Sequence, residues 1–204
     1  EVLDEVTGGR QTAGLRVPSH PTTQALLHAF GSGLAAPSAN RFGRISPTRP
    51  EHVEAEFGDT VPILDGGPAT IGIESTIVDL TQERPAILRP GFIGQQDIES
   101  VVGTLGSSDT VAPGTLKSHY SPMTSLLLSH EPERQRENLE SQGRTVAVLR
   151  AQDADQYARN LYAELRKMDK MGVDILIVEP ASDEGLGRAI NDRLKRASYK
   201  FSTK

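Results

Sequence analysis

The chain has 204 residues, of which 36% are hydrophobic and 24% charged, a composition typical of a globular protein with one or two domains. Cysteine is absent, which excludes disulfides and thiolate metal sites. No run of about 18 apolar residues occurs, so we predict no membrane-spanning segment. We predict a cytoplasmic location, which fits the absence of cysteine. The net charge of −5 gives the chain no bulk attraction for nucleic acids or anionic membranes.

The first part of the sequence predicts short strands alternating with two helices. Residues 11–17, "QTAGLRV", predict a strand because the proline-rich turn "PSHP" follows them. Residues 22–30 predict a helix with a threonine near its N-cap. "GLAAPSAN", at 33–40, predicts a buried strand running into a loop, and 48–58 predict a second helix capped by Thr48.

Three further strands are predicted closely together. They are "VPILDGG" at 61–67, "STIVDLT" at 75–81 and "AILRPG" at 86–91. Their β-branched and aliphatic runs end in glycine or proline turns, as strands commonly do. The mixture of strands and helices indicates an α+β or mixed α/β domain with a largely covered sheet, which we assign to residues 1–102.

The composition changes after this domain. Residues 103–122 are rich in Gly, Ser, Thr and Pro without periodicity, and we predict a linker. Strand and helix patterns then alternate over 123–204, with helices predicted at 131–142 and 154–171. Strands are predicted at 124–129, 145–151 and 173–180, and a last helix at 185–198. This alternation predicts a small parallel-sheet α/β domain.

The standard nucleotide motifs are absent. Gly9 and Gly14 have the spacing of a phosphate-binding loop, but Leu15 and Arg16 replace its lysine and hydroxyl residue. A different polar cluster is more informative. Its members lie at a predicted strand end and before a predicted helix: Ser38, Asn40, Ser46 and Thr48, with Arg41 and Arg44 nearby. Such groups can form an anion site, or they can simply close a turn and cap the helix.

Two arginines and a serine are candidates for ligand recognition. Arg89 follows an apolar strand and is suited to bidentate binding of phosphate or carboxylate, or to pairing with a nearby acid. Arg16 lies within a predicted apolar strand, where it needs an anionic partner, either structural or a substrate carboxylate. Glu74 and Ser75 begin another strand, where a charge is either solvated or a ligand contact.

The predicted linker contains an adjacent pair, His119 and Tyr120. An imidazole and an aromatic ring in a mobile segment can close over a site, or they can anchor the linker to a domain surface. No metal-ligand spacing is present, so any divalent ion is expected to arrive with substrate phosphates.

The sequence resembles the threonylcarbamoyl-AMP synthase (YrdC-like) family in its longer, two-domain form. The matching segments occur in the family's order over residues 7–122: "TAGLRVPSHP", "AAPSANRFGRISPT", "ILDGGPATIGIESTIVDL", "ILRPG" and "APGTLKSHYSP". The resemblance implies a twisted mixed sheet around a deep groove. It also implies synthesis of L-threonylcarbamoyl-AMP and pyrophosphate from L-threonine, bicarbonate and ATP, with Mg²⁺ carried on ATP. The product would pass to tRNA-modifying proteins that act on adenosine 37.

The resemblance also implies roles for individual residues. Arg16 would hold the threonine carboxylate, with the Ala36 backbone and the Ser75 hydroxyl also contacting threonine. The implied ATP contacts are Thr12, Ser38, Ser46, Arg89 and Tyr120, with Asn40 supporting them. His119 and Tyr120 would form a lid across the groove. No residue is implied to act as a covalent nucleophile.

Family members carry further sequence ahead of "TGG", including a basic cluster that binds the ATP triphosphate. We therefore expect this chain to be a fragment that catalyses poorly and exposes a sheet edge. Two other functions remain open: a non-catalytic RNA-binding or regulatory module on the same scaffold, with weak RNA contact, and a partner-binding role for residues 123–204. Against RNA binding, residues 1–118 hold 8 Lys+Arg and 14 Asp+Glu.

Overall fold

A computed structural model describes the backbone of residues 2–202 and the side chains of residues 2–199. The elements, in chain order, are α1 (Asp4–Thr7), α2 (Pro21–Phe30), α3 (Pro50–Phe57), a 3₁₀ turn (Gly58–Thr60), β1 (Ile77–Asp79), β2 (Ala86–Arg89), α4 (Gln95–Val102), β3 (Ser125–Leu128), α5 (Pro132–Ser141), β4 (Val146–Leu149), α6 (Ala154–Asp169), β5 (Ile175–Val178) and α7 (Leu186–Ser202). Among these described helices, none is long and apolar enough to cross a membrane. The mixed α/β class predicted from the sequence is confirmed.

We divide the chain into a first part, before residue 119, and a second part, from residue 119 onward. The second part contains a three-stranded parallel sheet in the order β3-β5-β4. The central strand β5 is buried along its whole length, as expected for a strand covered on both faces. Helix α6 buries the apolar positions that its periodicity predicted, namely Tyr157, Leu161, Leu165 and Met168. Asp153 caps this helix by accepting hydrogen bonds from two backbone N–H groups of its first turn.

The first part contains an antiparallel pair, β1-β2, in which Ile77 lies opposite Arg89 and Asp79 opposite Ala86. The Asp79 carboxylate accepts hydrogen bonds from Ser108, Thr81 and Thr110. These hydrogen bonds hold the pKa of Asp79 well below its ordinary value, and the bond from Ser108 contributes most. The carboxylate therefore joins strand β1 to the segment around Ser108.

Three strand predictions were wrong, because residues 11–17, 33–40 and 61–67 form no strand. The structure pairs none of these segments with a neighbouring strand in the described part of the chain. The predicted caps were also wrong. His20 and Arg49 occupy the N-cap positions of α2 and α3, and neither side chain makes a capping hydrogen bond.

Candidate binding site

Arg16 and Ser75, the two predicted threonine-binding side chains, are in direct contact. Arg16 Nη2 donates a hydrogen bond to Ser75 Oγ over 2.9 Å. Both residues are exposed. The expectation that Arg16 needs an anionic partner inside an apolar strand was therefore wrong, since its segment is neither a strand nor buried. Its guanidinium group is accessible to a carboxylate from solvent.

Arg89 contacts the backbone of the same residue. It is only 5% exposed, and its Nε and Nη2 donate to the Ser75 carbonyl oxygen over 3.2 and 2.9 Å. Its Nη1 donates to the carbonyl of Pro113, over 2.9 Å. Burial lowers the pKa of Arg89 from its ordinary value. Arg16 and Arg89, far apart in sequence, thus converge on Ser75, which is the geometry that a shared site requires.

The carboxylate of Glu74 lies next to this cluster and is satisfied by three side chains. Ser46 donates to Oε1 over 2.7 Å, while Tyr162 and Arg193 donate to Oε2 over 2.8 and 2.9 Å. Burial alone would raise the pKa of Glu74, but the charge of Arg193 and the three hydrogen bonds lower it below its ordinary value. Ser46, predicted to contact ATP, here positions Glu74.

Sequence reasoning missed Arg193 and Tyr162, which connect the second part of the chain to the site. The Arg193 side chain is fully buried, and its Nη1 donates to the Pro90 carbonyl over 2.7 Å. One signal could have revealed it. Arg193 lies on the apolar face of α7 together with Ala189, Ile190 and Ala197, and a charge on such a face requires a buried partner.

His119 and Tyr120 pack against the site. Tyr120 is 1% exposed, and its ring stacks on that of Tyr162 with centroids 5.6 Å apart. The Arg193 guanidinium lies 5.6 Å from the Tyr120 ring centroid, at cation–π distance. The His119 ring contacts the Tyr120 ring edge-on, with centroids 4.1 Å apart. Burial lowers the pKa of His119 and raises that of Tyr120.

A close approach fixes Tyr120 in this position. Its hydroxyl lies 3.4 Å from the Gly114 carbonyl oxygen, and a Cβ at Gly114 would lie 2.0 Å from that hydroxyl. Gly114 has a φ of +79°, so a larger residue is disfavoured on both counts. The Arg89 contact to Pro113 brings the same segment to the site.

The other predicted contacts are not part of this cluster. Thr12, Ala36 and Ser38 are exposed, and no hydrogen bond within residues 2–199 joins them to the cluster. Asn40 donates from Nδ2 to the carbonyls of Arg41 and Arg44, which orders its own loop.

The donor chemistry of the site favours anions. Arg16, Arg89 and Arg193 surround Ser75 and Glu74, and guanidinium groups recognise carboxylates and phosphates. Across the described part of the chain, no group of three or more His, Cys, Asp or Glu side chains could hold a metal ion. The residues present therefore fit an anionic ligand better than a resident metal.

Fold and site together define a two-part α/β protein in which the arginine cluster around Ser75 is joined to the second part through Glu74. Two family profiles match the chain: "Telomere recombination" over residues 1–91 and "Threonylcarbamoyl-AMP synthase, C-terminal domain" over residues 93–198. The chain belongs to the threonylcarbamoyl-AMP synthase family, which confirms the resemblance.

Curated relatives include the threonylcarbamoyl-AMP synthases of Pyrococcus abyssi and Bacillus subtilis, both 36% identical over 95% of the chain. The chain spans 66% and 65% of their lengths, about two thirds. Among solved structures, P. abyssi Sua5 complexed with L-threonine has a TM-score of 0.88 and 34% identity, covering 97% of this chain and 67% of that one. A His-to-Ala, Tyr-to-Ala double variant of P. abyssi Sua5 has a TM-score of 0.86.

Proposed function

We propose that this chain binds L-threonine as a substrate of L-threonylcarbamoyl-AMP synthesis. The observation that carries the proposal is the convergence of Arg16 and Arg89 on Ser75, in a chain similar to a relative solved with L-threonine. The exposed Arg16 guanidinium binds the threonine carboxylate, and the Ser75 hydroxyl, which already accepts from Arg16, is adjacent to donate to it.

In the proposed reaction, the threonine amine attacks bicarbonate and a water molecule leaves, giving a carbamate. A carbamate oxygen then attacks the α-phosphorus of ATP, and the bond to the β-phosphate breaks to release pyrophosphate. These steps require alignment and charge neutralisation and no covalent nucleophile from the protein. The product, a mixed anhydride, is suited to transfer onto a tRNA adenosine by downstream proteins.

The residues of this chain supply orientation and positive charge. Each terminal nitrogen of Arg89 carries two N–H groups. One N–H of Nη1 donates to Pro113 and one N–H of Nη2 donates to Ser75. The remaining N–H on each nitrogen can bind a phosphate oxygen. Tyr120 packs against the Arg193 side of the cluster, with its ring centroid 5.6 Å from the guanidinium group, and His119 contacts Tyr120 edge-on. Mg²⁺, when carried on the ATP phosphates, neutralises their charge during the displacement.

Threonine titration calorimetry tests the proposal. We expect saturable binding to the wild-type chain, at least about tenfold weaker in Arg16→Ala because a charge-assisted contact is lost. Arg84→Ala, which removes an exposed arginine elsewhere, should bind like wild type. Absence of threonine binding by the wild-type chain, or equal binding by all three proteins, contradicts the proposal.

We also expect slow pyrophosphate release by this chain with ATP, threonine and bicarbonate. Arg193 is paired with Glu74 and Asp192 and Arg89 is only 5% exposed, so the site presents little accessible positive charge to a triphosphate. Rapid turnover at saturating ATP would contradict this expectation while supporting the assigned reaction.

A further inference from the structure

Arg193 contacts the direct chain neighbours of two residues of the binding site. Its Nε donates to Oε2 of Glu74, which precedes Ser75, over 2.9 Å. Its Nη1 donates to the carbonyl of Pro90, which follows Arg89, over 2.7 Å. One buried side chain of the second part therefore joins two loops of the first part, each beside a residue that the proposed function assigns to ligand binding.

The two loops are themselves packed backbone against backbone. A Cβ at Gly91 would lie 2.2 Å from the Thr76 backbone nitrogen and 2.6 Å from the Glu74 carbonyl oxygen. Such an approach leaves no room for a side chain. Arg193 spans the same pair of loops from Glu74 to Pro90, so a displacement of either loop breaks one of its hydrogen bonds.

Stability alone does not account for this guanidinium group. The Arg193 side chain is 0% exposed, and its Nη2 has no hydrogen-bond acceptor among residues 2–199. Burying a charge with an unpaired N–H is unfavourable, and apolar residues of similar volume often stabilise a core as well as a buried ion pair does. The guanidinium group adds direction, because its donors lie in one rigid plane and require their acceptors at fixed positions.

The helix that carries Arg193 is a firm support for this group. Helix α7 buries Ala189, Ile190, Leu194 and Ala197, each at most 4% exposed. Asp192 pairs with Arg193 Nη1 over 3.0 Å and with Arg196 over 2.8 Å, which orients the guanidinium group further. A side chain held in this way on a packed helix fixes its partners more precisely than a loop does.

We propose that Arg193 is a positioning residue, which fixes Ser75 and Arg89 relative to each other for threonine binding. It acts through Glu74 and Pro90 and does not itself contact threonine. This inference rests on the proposed function and adds that the second part of the chain sets the affinity of the site through one side chain. If Arg193 only stabilised the fold, its replacement would leave the threonine affinity of the folded molecules unchanged.

Threonine titration calorimetry on the full chain tests the inference with Arg193→Lys. This variant keeps the charge but lacks the planar fork that spans Glu74 and Pro90, and we expect threonine binding at least about tenfold weaker than in wild type. Ile177→Ala is the matched control. Ile177 is fully buried in the second part but lies outside the apolar cluster that contains Tyr120. The control should therefore lower the urea midpoint and leave the threonine affinity unchanged.

A double variant shows whether Arg193 acts through Ser75. Arg16 donates to the Ser75 hydroxyl, so a displacement of Ser75 already weakens the Arg16 contact. We expect Arg16→Ala/Arg193→Lys to bind threonine within about threefold of the weaker single variant, whereas independent effects would multiply.

Circular dichroism and urea denaturation establish that each variant is folded at the assay temperature. Glu74→Gln keeps the side-chain shape and removes the charge paired with Arg193, so we expect threonine binding at least about threefold weaker. This variant decides the question if Arg193→Lys does not fold.

Three results would overturn the inference: unchanged threonine affinity in the folded site variants, an equal loss in Ile177→Ala, or multiplied effects in the double variant. Each of them leaves the proposed function standing as long as wild type binds threonine and Arg16→Ala binds it more weakly. Absence of threonine binding by wild type contradicts the proposed function and this inference together.

Discussion

The two parts of the chain differ sharply in how they bury apolar side chains. Among described residues before 119, the buried hydrophobic side chains are Ile45, Ile73, Ala86 and Ala112. The later part buries Leu161, Leu176, Ile190 and many others. Conversely, most exposed large hydrophobic residues lie in the first part, Leu15 and Val17 being 88% and 93% exposed. The second part therefore has a core of its own, and the first part obtains much of its burial by packing against it.

The contact between the two parts combines apolar and polar groups. Ile45 and Ile73 join the same buried cluster as Tyr162 and Leu194. The polar component is the Glu74 carboxylate with Arg193 and Tyr162. Apolar contact alone tolerates several relative positions, whereas a directional ion pair such as Arg193 Nε to Glu74 Oε2, 2.9 Å apart, restricts them. We therefore expect substitutions at the contact between the two parts to lower the free energy of unfolding more than substitutions on the surface of either part.

The largest effect is expected from Arg193→Met, which removes the cation paired with Glu74, whose side chain is only 16% exposed. We expect a loss of about 3–5 kcal/mol in the free energy of unfolding. Urea denaturation followed by tyrosine fluorescence measures it, because the chain has no tryptophan. Arg188→Met, an exposed position on the same helix, should change stability by less than about 0.5 kcal/mol. Similar small losses in both variants would show that the ion pair does not join the two parts.

An intermediate effect is expected from Gly72→Ala. A Cβ at Gly72 would lie 2.0 Å from the carbonyl oxygen of Arg159 in α6, so the two parts must move apart. We expect a destabilisation of about 1–3 kcal/mol, measured as a lower urea midpoint. Gly33→Ala serves as the control, because no atom lies within 4 Å of its added Cβ. Equal stability of the two variants would mean that the contact at Gly72 is easily relaxed.

The smallest effect is expected in the pH dependence of stability. The pKa of Glu74 is lower in the folded chain than its ordinary value of 4.5, so its stabilisation is present above that value. It is lost as the pH falls through the folded pKa. The stability difference between wild type and Glu74→Gln should therefore shrink as the pH falls below the ordinary value of 4.5. The pKa values of Asp79 and Asp174 are also lowered. Both residues are present in wild type and in Glu74→Gln, so their contributions cancel in the stability difference. Parallel pH curves would contradict the prediction.

The sequence predicted the second part well, because its elements follow simple periodicities. The 3.6-residue spacing of α6 and the continuous apolar run of β5 determine their own burial. The first part was predicted less well. Segments such as 11–17 and 61–67 have strand composition but no strand partner, and composition alone does not supply one.

The site shows the same division. Arg16, Ser75 and Arg89 were selected from the sequence, and the structure brings them into contact. Their roles in ligand binding stay predictions, and Arg89 donates to backbone carbonyls. The position of Arg193 on the apolar face of α7 indicates a buried partner, but the sequence does not indicate which residue that partner is. The pairing of Arg193 and Tyr162 with Glu74 depends on how α6 and α7 pack against a loop about 90 to 120 residues earlier.

Tyr120 has a backbone φ of 59° and is the one non-glycine residue with a positive φ among those described. A bulky residue in this conformation carries strain of about 1–3 kcal/mol. That strain opposes the attraction of the ring for Tyr162 and Arg193, so the segment is held less tightly than its burial indicates. Release of the segment would relax the backbone as the ring becomes hydrated, which brings the packed and released states closer in free energy.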